Sequence, residues 1–261
     1  MNRSGRAAAA RIRGHIGKVP GNPLQITAVW RTIRQEGRQV VIIFQDRRQA
    51  GLALAEVLRD ELEEELSAGD AIVLGLPRGG VPVAFEIAHG LHLPLDVFVV
   101  RKLGVPGQEE LAMGAIASGS TVVLQSDVIA AFRIRQETID AVVARERLEI
   151  ERREAAYRDG RPPARLDGRA VILVDDGLAT GATMTAAVRA LRPVARRVLV
   201  AVPVAAPSTR DELRREADHV ICLEIPEPFH AVGEFYRNFD QTTDAEVRAL
   251  LAQARSESHA A

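Results

Sequence analysis

Four short apolar runs, each bounded by polar or turn-forming residues, constrain the fold of this chain more than any other feature. They are residues 71–75, 95–100, 170–174 and 198–202, and helical or irregular sequence separates them. A continuous apolar run of four to eight residues is typical of a strand that is buried on both faces. Strands that alternate with helices in this way predict an α/β fold with a central, mostly parallel sheet flanked by helices.

Apolar residues at helical spacing occupy the intervals between these runs. Residues 50–66 and 81–91 predict helices on either side of the first strand. Between residues 126 and 158 a longer segment predicts one amphipathic helix, whose apolar positions are Ile139, Val143, Ile150 and Tyr157. The apolar stripe of that helix must pack against the sheet or against a second subunit, and the sequence leaves both open.

Charge and cysteine content exclude several classes of protein. The 261 residues carry 34 basic and 35 acidic side chains, a formal net charge of −1, which argues against a nucleic-acid partner. Cys222 is the single cysteine, so no intramolecular disulfide can form, and this favours the cytoplasm. No apolar run approaches the roughly 20 residues of a membrane-spanning helix. We therefore expect no membrane partner.

Residues 1–40 differ from the rest of the chain in composition. They are rich in arginine and alanine and almost lack acidic side chains. This composition is loosely similar to that of a transit peptide, but a flexible basic leader or an over-long start assignment is the simpler interpretation. We predict a flexible leader.

The segment 171–185 (VILVDDGLATGATMT) carries the strongest chemical signal. Asp175 and Asp176 follow a strand directly, and two adjacent carboxylates there are costly unless they meet a cation or hydroxyl donors. Gly177 and Gly181 allow tight turns that direct backbone amides inward, and the start of the next helix adds to an anion cradle. The alternative is that the two acids only cap a loop. The segment matches neither a Walker loop nor the dinucleotide-binding fingerprint.

This segment resembles the phosphoribosyl pyrophosphate (PRPP) signature of type I phosphoribosyltransferases. The resemblance implies a type I fold with a small hood and a long helical insertion. It also implies Mg²⁺ as cofactor, held by Asp175 and Asp176 through water. The residues implied to bind the ribose 5-phosphate of PRPP are Asp175, Asp176, Gly177, Leu178, Ala179, Thr180, Gly181, Ala182 and Thr183.

Two further segments extend the resemblance. The turn 75–80 is similar to the pyrophosphate loop of the family, although a Gly-Gly turn by itself needs no ligand. The segment 100–110 is similar to the region of the flexible catalytic loop, with a mobile lid at 104–107; a solvated surface loop is the alternative. The resemblance assigns pyrophosphate binding to Arg78, Gly79, Gly80, Arg101 and Lys102, and catalysis to Arg78, Arg101, Lys102 and Glu110.

The acceptor base is less defined. Phe229, Phe235 and Tyr236 lie in an aromatic-rich segment that could stack on a planar base or, equally, seal the end of the core. The 6-oxopurine enzymes of the family usually have an aspartate where this chain has Ala179, and commonly a lysine in the hood, which residues 226–240 lack. The sequence therefore argues against hypoxanthine or guanine and does not name the base.

The resemblance implies transfer of a 5-phosphoribosyl group from PRPP to a nitrogenous base, with release of pyrophosphate, in nucleotide salvage. We predict a phosphoribosyltransferase domain over residues 41–240, with the insertion at 127–160 and the hood near 226–240. A C-terminal helix and tail would follow at 241–261. We also expect a homodimer. The alternatives are a PRPP-sensing regulator without transferase activity and a degenerate transferase that hydrolyses the donor.

Overall fold

A computed structural model of the chain describes residues 42–62 and 69–258. The predicted leader, residues 1–40, lies outside these residues, as do positions 63–66 of the first predicted helix. Within the described ranges, no helix is both long and apolar enough to cross a membrane.

Eight strands and seven α-helices make up the described fold. In chain order the strands are β1 (Ala71–Gly75), β2 (Leu95–Val97), β3 (Val100–Val105), β4 (Gln108–Ala117), β5 (Val122–Leu124), β6 (Ala170–Val174), β7 (Arg197–Val204) and β8 (His219–Glu224). The helices are α1 (Arg47–Glu61), α2 (Gly80–Leu91), α3 (Ser126–Ala131), α4 (Gln136–Arg158), α5 (Ala182–Leu191), α6 (Pro207–Leu213) and α7 (Asp244–Ser258).

The predicted α/β fold is confirmed. Five strands form a parallel sheet in the order β2–β1–β6–β7–β8. Every residue of β1 and β6 is buried, as continuous apolar strands covered on both faces should be. One apolar cluster packs α1, α2, α4 and α7 against one face of the sheet, and a second packs α5 and α6 against the other.

The run 95–100 is not a single strand, which corrects the prediction. β2 ends at Val97, and Phe98 and Val99 are buried residues that lead into β3, the first strand of a separate antiparallel sheet β3–β4–β5. Both sheets accept apolar residues equally well, so the run gives no sign of the change. The predicted lid at 104–107 is consequently the end of a β-hairpin, with Gly107 in its turn at φ 82°.

The long helix predicted between residues 126 and 158 is also interrupted. It consists of α3 and α4, and Arg133 lies between them in the left-handed region at φ 50°. Ile139, Ile150 and Tyr157 are buried as predicted, whereas Val143 is only partly buried. α4 packs against β3 and α7, so its apolar stripe faces this same chain.

A buried ion pair joins the C-terminal end of α4 to the sheet. The Arg158 Nε donates to both carboxylate oxygens of Asp96 on β2, at 2.9 and 3.1 Å. Asp96 also accepts from the backbone N–H of Val97 and of Ala164. Arg158 is 4% exposed and pairs in addition with Glu154. The pair therefore fixes the returning end of the insertion against the edge strand.

We expect Asp96→Asn to lower the free energy of unfolding by about 2 kcal/mol, because Arg158 loses a buried charged partner but keeps Glu154. Urea unfolding followed by circular dichroism measures this difference. Asp70→Asn removes an exposed carboxylate and is the control. Equal midpoints for the two variants would contradict the assigned role of the pair.

Candidate active site

The loops that follow β1 and β6 meet at the carboxyl edge of the parallel sheet. Gly75 and Val174 are paired in register at the ends of these strands, and the Leu76 N–H donates to the Val174 carbonyl at 2.9 Å. The turn after β1 contains a cis peptide bond between Pro77 and Arg78. Its glycines lie directly on the acid pair: a Cβ placed on Gly79 would overlap the Asp176 Oδ2. The fold thus brings together two of the three predicted motifs.

Asp175 and Asp176 form an acid pair whose buried carboxylates repel each other. Burial and the adjacent Asp176 carboxylate raise the pKa of Asp175 well above its usual value, although the Asp176 N–H donates to the Asp175 Oδ1 at 2.9 Å. Burial also raises the pKa of Asp176, against a lowering effect of Arg47. A cation or a set of hydroxyl donors at this place would relieve the repulsion.

Arg47 was not among the predicted site residues, yet it is the cation that pairs with Asp176. It is the first residue of α1, and its Nε donates to the Asp176 Oδ2 at 2.8 Å while its Nη1 donates to the Asp240 carbonyl at 2.7 Å. Its guanidinium carbon lies 4.0 Å from the centre of the Phe239 ring. Positions 47 and 176 are 129 residues apart, so no local spacing could have indicated the pair.

The predicted phosphate loop connects β6 to α5 and is open to solvent. Gly181 ends it at φ 67°, a conformation that favours glycine, and α5 begins at the next residue with its N–H groups toward the loop. Leu178 is anchored by a bridge to Ala205, and the Thr209 hydroxyl donates to the Ala179 carbonyl at 2.5 Å. The predicted residues that remain exposed are Ala179, Thr180, Ala182 and Thr183. This geometry suits an anion.

The basic and acidic side chains predicted for catalysis either contact other acidic residues or are exposed. The Arg78 Nη1 is 3.9 Å from Asp244 of α7, and Arg101 pairs with Glu146 of α4 at 2.7 Å. Lys102 and Glu110 are exposed on the β3–β4 hairpin. Arg101 and Lys102 were expected at the end of a parallel strand, but they belong to the second sheet. The catalytic and pyrophosphate roles of these residues stay predictions.

The aromatic residues of the segment 226–240 divide into two kinds. Phe235 and Tyr236 are 5% and 6% exposed, and neighbouring rings cover them: Phe229 lies 5.7 Å from Phe235, and Phe44 and Phe239 lie 5.8 and 5.0 Å from Tyr236. A base could stack on Phe235 or Tyr236 only by displacing a ring, so the core-sealing alternative describes both. Phe229 is partly exposed and remains a predicted base contact.

Tyr236 nevertheless belongs to the site through its hydroxyl. The O–H donates to the Asp176 carbonyl at 2.6 Å, and burial raises the tyrosine pKa well above its usual value, so the hydroxyl stays a donor. The backbone of the same segment pairs with residue Phe44, just before α1. These contacts hold the segment over the acid pair. Phe239, which is 36% exposed beside Arg47, is the aromatic ring with an accessible side there.

The acid pair supplies carboxylate ligands for Mg²⁺ but not a complete coordination shell. Mg²⁺ commonly binds one or two carboxylates together with substrate oxygens and waters. Asp175 and Asp176 supply such carboxylates, but among the described residues no group of three or more His, Cys, Asp or Glu side chains gathers that could hold a metal by itself. The chain could therefore hold Mg²⁺ when a phosphorylated ligand completes its coordination.

Comparison with known proteins identifies the family. The model of the phosphoribosyl transferase domain matches residues 43–240. Two curated Mycobacterium tuberculosis proteins, from strains CDC 1551 / Oshkosh and H37Rv and provisionally named phosphoribosyl transferases, are 47% identical over 213 residues, which is 81% of this chain and 47% of theirs. The chain thus spans about half the length of the curated relatives it matches.

A solved structure agrees with this assignment. The crystal structure of TT1426 from Thermus thermophilus is 43% identical and has a TM-score of 0.71, covering 81% of this chain and 99% of that chain. The resemblance inferred from residues 171–185 is confirmed. The chain belongs to the phosphoribosyl transferase domain family.

Proposed function

We propose that this chain is a phosphoribosyltransferase that moves a 5-phosphoribosyl group from PRPP to a nitrogenous base and releases pyrophosphate. The observation that carries the proposal is the meeting of an acid pair, an open phosphate loop and a glycine turn at one edge of the sheet. A ribose 5-phosphate has hydroxyls at one end and a phosphate at the other. The acid pair suits the hydroxyls, and the open loop suits the phosphate.

Each feature has a distinct task in this reaction. The carboxylates of Asp175 and Asp176 would accept hydrogen bonds from the ribose hydroxyls, while the N–H groups at the start of α5 would bind the 5-phosphate. Gly79 and Gly80 let the backbone of the turn lie directly against the acid pair, where its N–H groups could bind the pyrophosphate. Bound Mg²⁺ would neutralise charge on the pyrophosphate as it leaves. Because positive charge develops on the ribose in the transition state, nearby carboxylates favour that state over the ground state.

A PRPP-sensing regulator is the second candidate, and the position of Arg47 favours it. Its guanidinium already neutralises Asp176, so the donor must compete with an internal cation. A sensor needs donor binding without turnover, and this ion pair would set the donor concentration at which the site fills. The acceptor base and any protein partner are proposals in both cases, since the match covers only 47% of the length of the relatives.

Pyrophosphate release from PRPP tests the function. We expect Mg²⁺-dependent release with one or a few bases of a purine and pyrimidine panel, and a loss of at least 100-fold in Asp175→Asn/Asp176→Asn. An enzyme-coupled pyrophosphate assay measures the rate. The exposed pair Asp167→Asn/Asp211→Asn is the matched control and should retain the wild-type rate.

Three other results would decide against the transferase. Tight donor binding in calorimetry without turnover on any base would favour the sensor. Release that needs no base would identify a donor hydrolase. Absence of donor binding would contradict both the transferase and the sensor. A homodimer and a cytoplasmic location stay predictions, which sedimentation and cell fractionation can check.

A further inference from the structure

A cavity beside the glycine turn lies between α4 and the start of α7. Its volume is about 400 Å³, and its lining is mainly polar. Three arginines contribute to it: Arg78 from the turn, and Arg152 and Arg153 from α4. Tyr157 and Asp244 complete its polar lining. We refer to these five side chains as the arginine cleft. Neither the acid pair nor the phosphate loop lines it.

The arginines of the cleft are only partly neutralised. Glu149 accepts from the Arg152 Nε and Nη2 at 2.8 and 3.0 Å and from the Arg153 Nε at 2.7 Å. These two guanidiniums lower the pKa of Glu149 to about 2, so Glu149 is ionised. Its single negative charge balances only one of the two positive charges. Arg78 is 3.9 Å from the Asp244 carboxylate, beyond a direct hydrogen bond. Three cations thus face two acids.

Tyr157 adds a fixed donor at the floor of the cleft. Its ring is 3% exposed, and its hydroxyl donates to the Asp244 Oδ1 at 2.9 Å. Burial and this hydrogen bond raise the pKa of Tyr157 to about 12, while the charges of Arg153 and Arg78 act in the opposite direction. Arg153 and Arg78 both line the cleft together with Tyr157. Asp244, the first residue of α7, is the acceptor that the cleft now contains.

We propose that the arginine cleft is a second anion-binding site, which takes a small ligand with phosphate groups. Guanidinium groups offer paired N–H donors that match phosphate oxygens, and phosphates carry enough charge to compete with the carboxylates of Glu149 and Asp244. The site differs from the PRPP site because four of its five side chains come from α4 and α7; Arg78, from the turn after β1, is the exception. The inference concerns binding alone and does not require transferase activity.

The two sites share one turn of backbone. The side chain of Arg78 lines the cleft, while the next residue, Gly79, touches Asp176. An anion bound by Arg78 therefore acts on the turn that also lies against the acid pair. The alternative is that the anion occupies the phosphate loop of the PRPP site, and a variant of that loop separates the two.

Isothermal titration calorimetry with inorganic pyrophosphate, without Mg²⁺ and at low salt, tests the proposal. We expect Arg152→Gln/Arg153→Gln to weaken binding at least tenfold. The matched control, Arg147→Gln/Arg161→Gln, removes two exposed arginines from α4 and the loop after it and should stay within twofold of the wild type. Asp244→Asn removes the opposing charge and should strengthen binding. Thermal unfolding of each variant confirms that it is folded.

Thr180→Glu, which places a carboxylate in the exposed phosphate loop of the PRPP site, identifies the site that is occupied. Retained pyrophosphate binding in this variant supports a separate cleft, whatever its transferase activity. Loss of binding there would place the anion at the PRPP site and overturn the proposal. Equal weakening in the two double-arginine variants, or no binding by the wild type at millimolar pyrophosphate, would also overturn it.

Discussion

Asp175→Asn is expected to stabilise the protein without PRPP and to lower its affinity for PRPP. We expect the affinity to fall about a thousand-fold, because two charge-assisted hydrogen bonds to the ligand are lost. The pKa of Asp175 is raised in the folded chain by burial and by Asp176. A carboxyl group whose folded pKa exceeds its unfolded value opposes folding once it is ionised. Asparagine removes that charge and can still accept the N–H of Asp176.

The stability difference between Asp175→Asn and the wild type should depend on pH. Below the ordinary aspartate pKa of 3.8, Asp175 is protonated in both states and does not destabilise the fold. As pH rises from there through the raised folded pKa, the wild type loses stability and the variant does not. The free energy of unfolding of the variant should therefore exceed that of the wild type by about 1–2 kcal/mol near pH 7. Each kcal/mol should raise Tm by about 2–4 °C.

Calorimetric melting curves between pH 5 and 8 measure the difference, and calorimetric titration with PRPP measures the affinity. Asp167→Asn changes an exposed carboxylate at the loop before β6 and should alter neither quantity. A lower Tm for Asp175→Asn at pH 8 would contradict the assigned strain of the acid pair. Unchanged affinity would separate this pair from PRPP binding.

Gly79→Ala is expected to abolish PRPP binding and to lower the free energy of unfolding by about 3 kcal/mol. The backbone of Gly79 has φ −61° and ψ −33°, which alanine adopts readily. The cost is steric, since the added methyl would overlap the Asp176 Oδ2 and lie 2.7 Å from its Cγ. The acid pair and the turn must therefore move apart.

A double-mutant cycle isolates this contact. In an Asp176→Ala background the clashing carboxylate is absent, so Gly79→Ala should cost less than about 1 kcal/mol there. Urea unfolding of the four proteins measures the coupling, and calorimetry with PRPP follows binding in each. An equal cost in both backgrounds would show that the turn is sensitive for another reason than its contact with Asp176.

The sequence predicted those parts of the fold and site that depend on neighbouring residues. The strands β1 and β6, the loop at 175–181 and the start of α5 are each encoded within a short stretch of sequence, where burial, turn formation and helix initiation leave local patterns. The same patterns carried the family resemblance. Their meeting at one sheet edge follows from the general rule for parallel sheets.

Contacts between distant segments were not predictable in this way. Arg47 lies in a charged segment, and Thr209 lies in the short helix α6. Nothing near either residue in sequence points to its contact with the loop after β6. The same holds for the change of sheet after Val97, because apolar residues satisfy either sheet. The aromatic segment was ambiguous because buried rings and stacking rings have the same composition, and only the coverage of Phe235 distinguishes them.

The ion pair between Arg47 and Asp176 turns ligand binding into an exchange reaction. A donor that approaches Asp176 does not meet a bare carboxylate; it replaces a guanidinium that also binds the Asp240 carbonyl and covers Phe239. The observed affinity is then the difference between two sets of contacts, one broken and one formed. Selection on Arg47, Asp240 or Phe239 could shift the working concentration of donor without altering any residue that touches it.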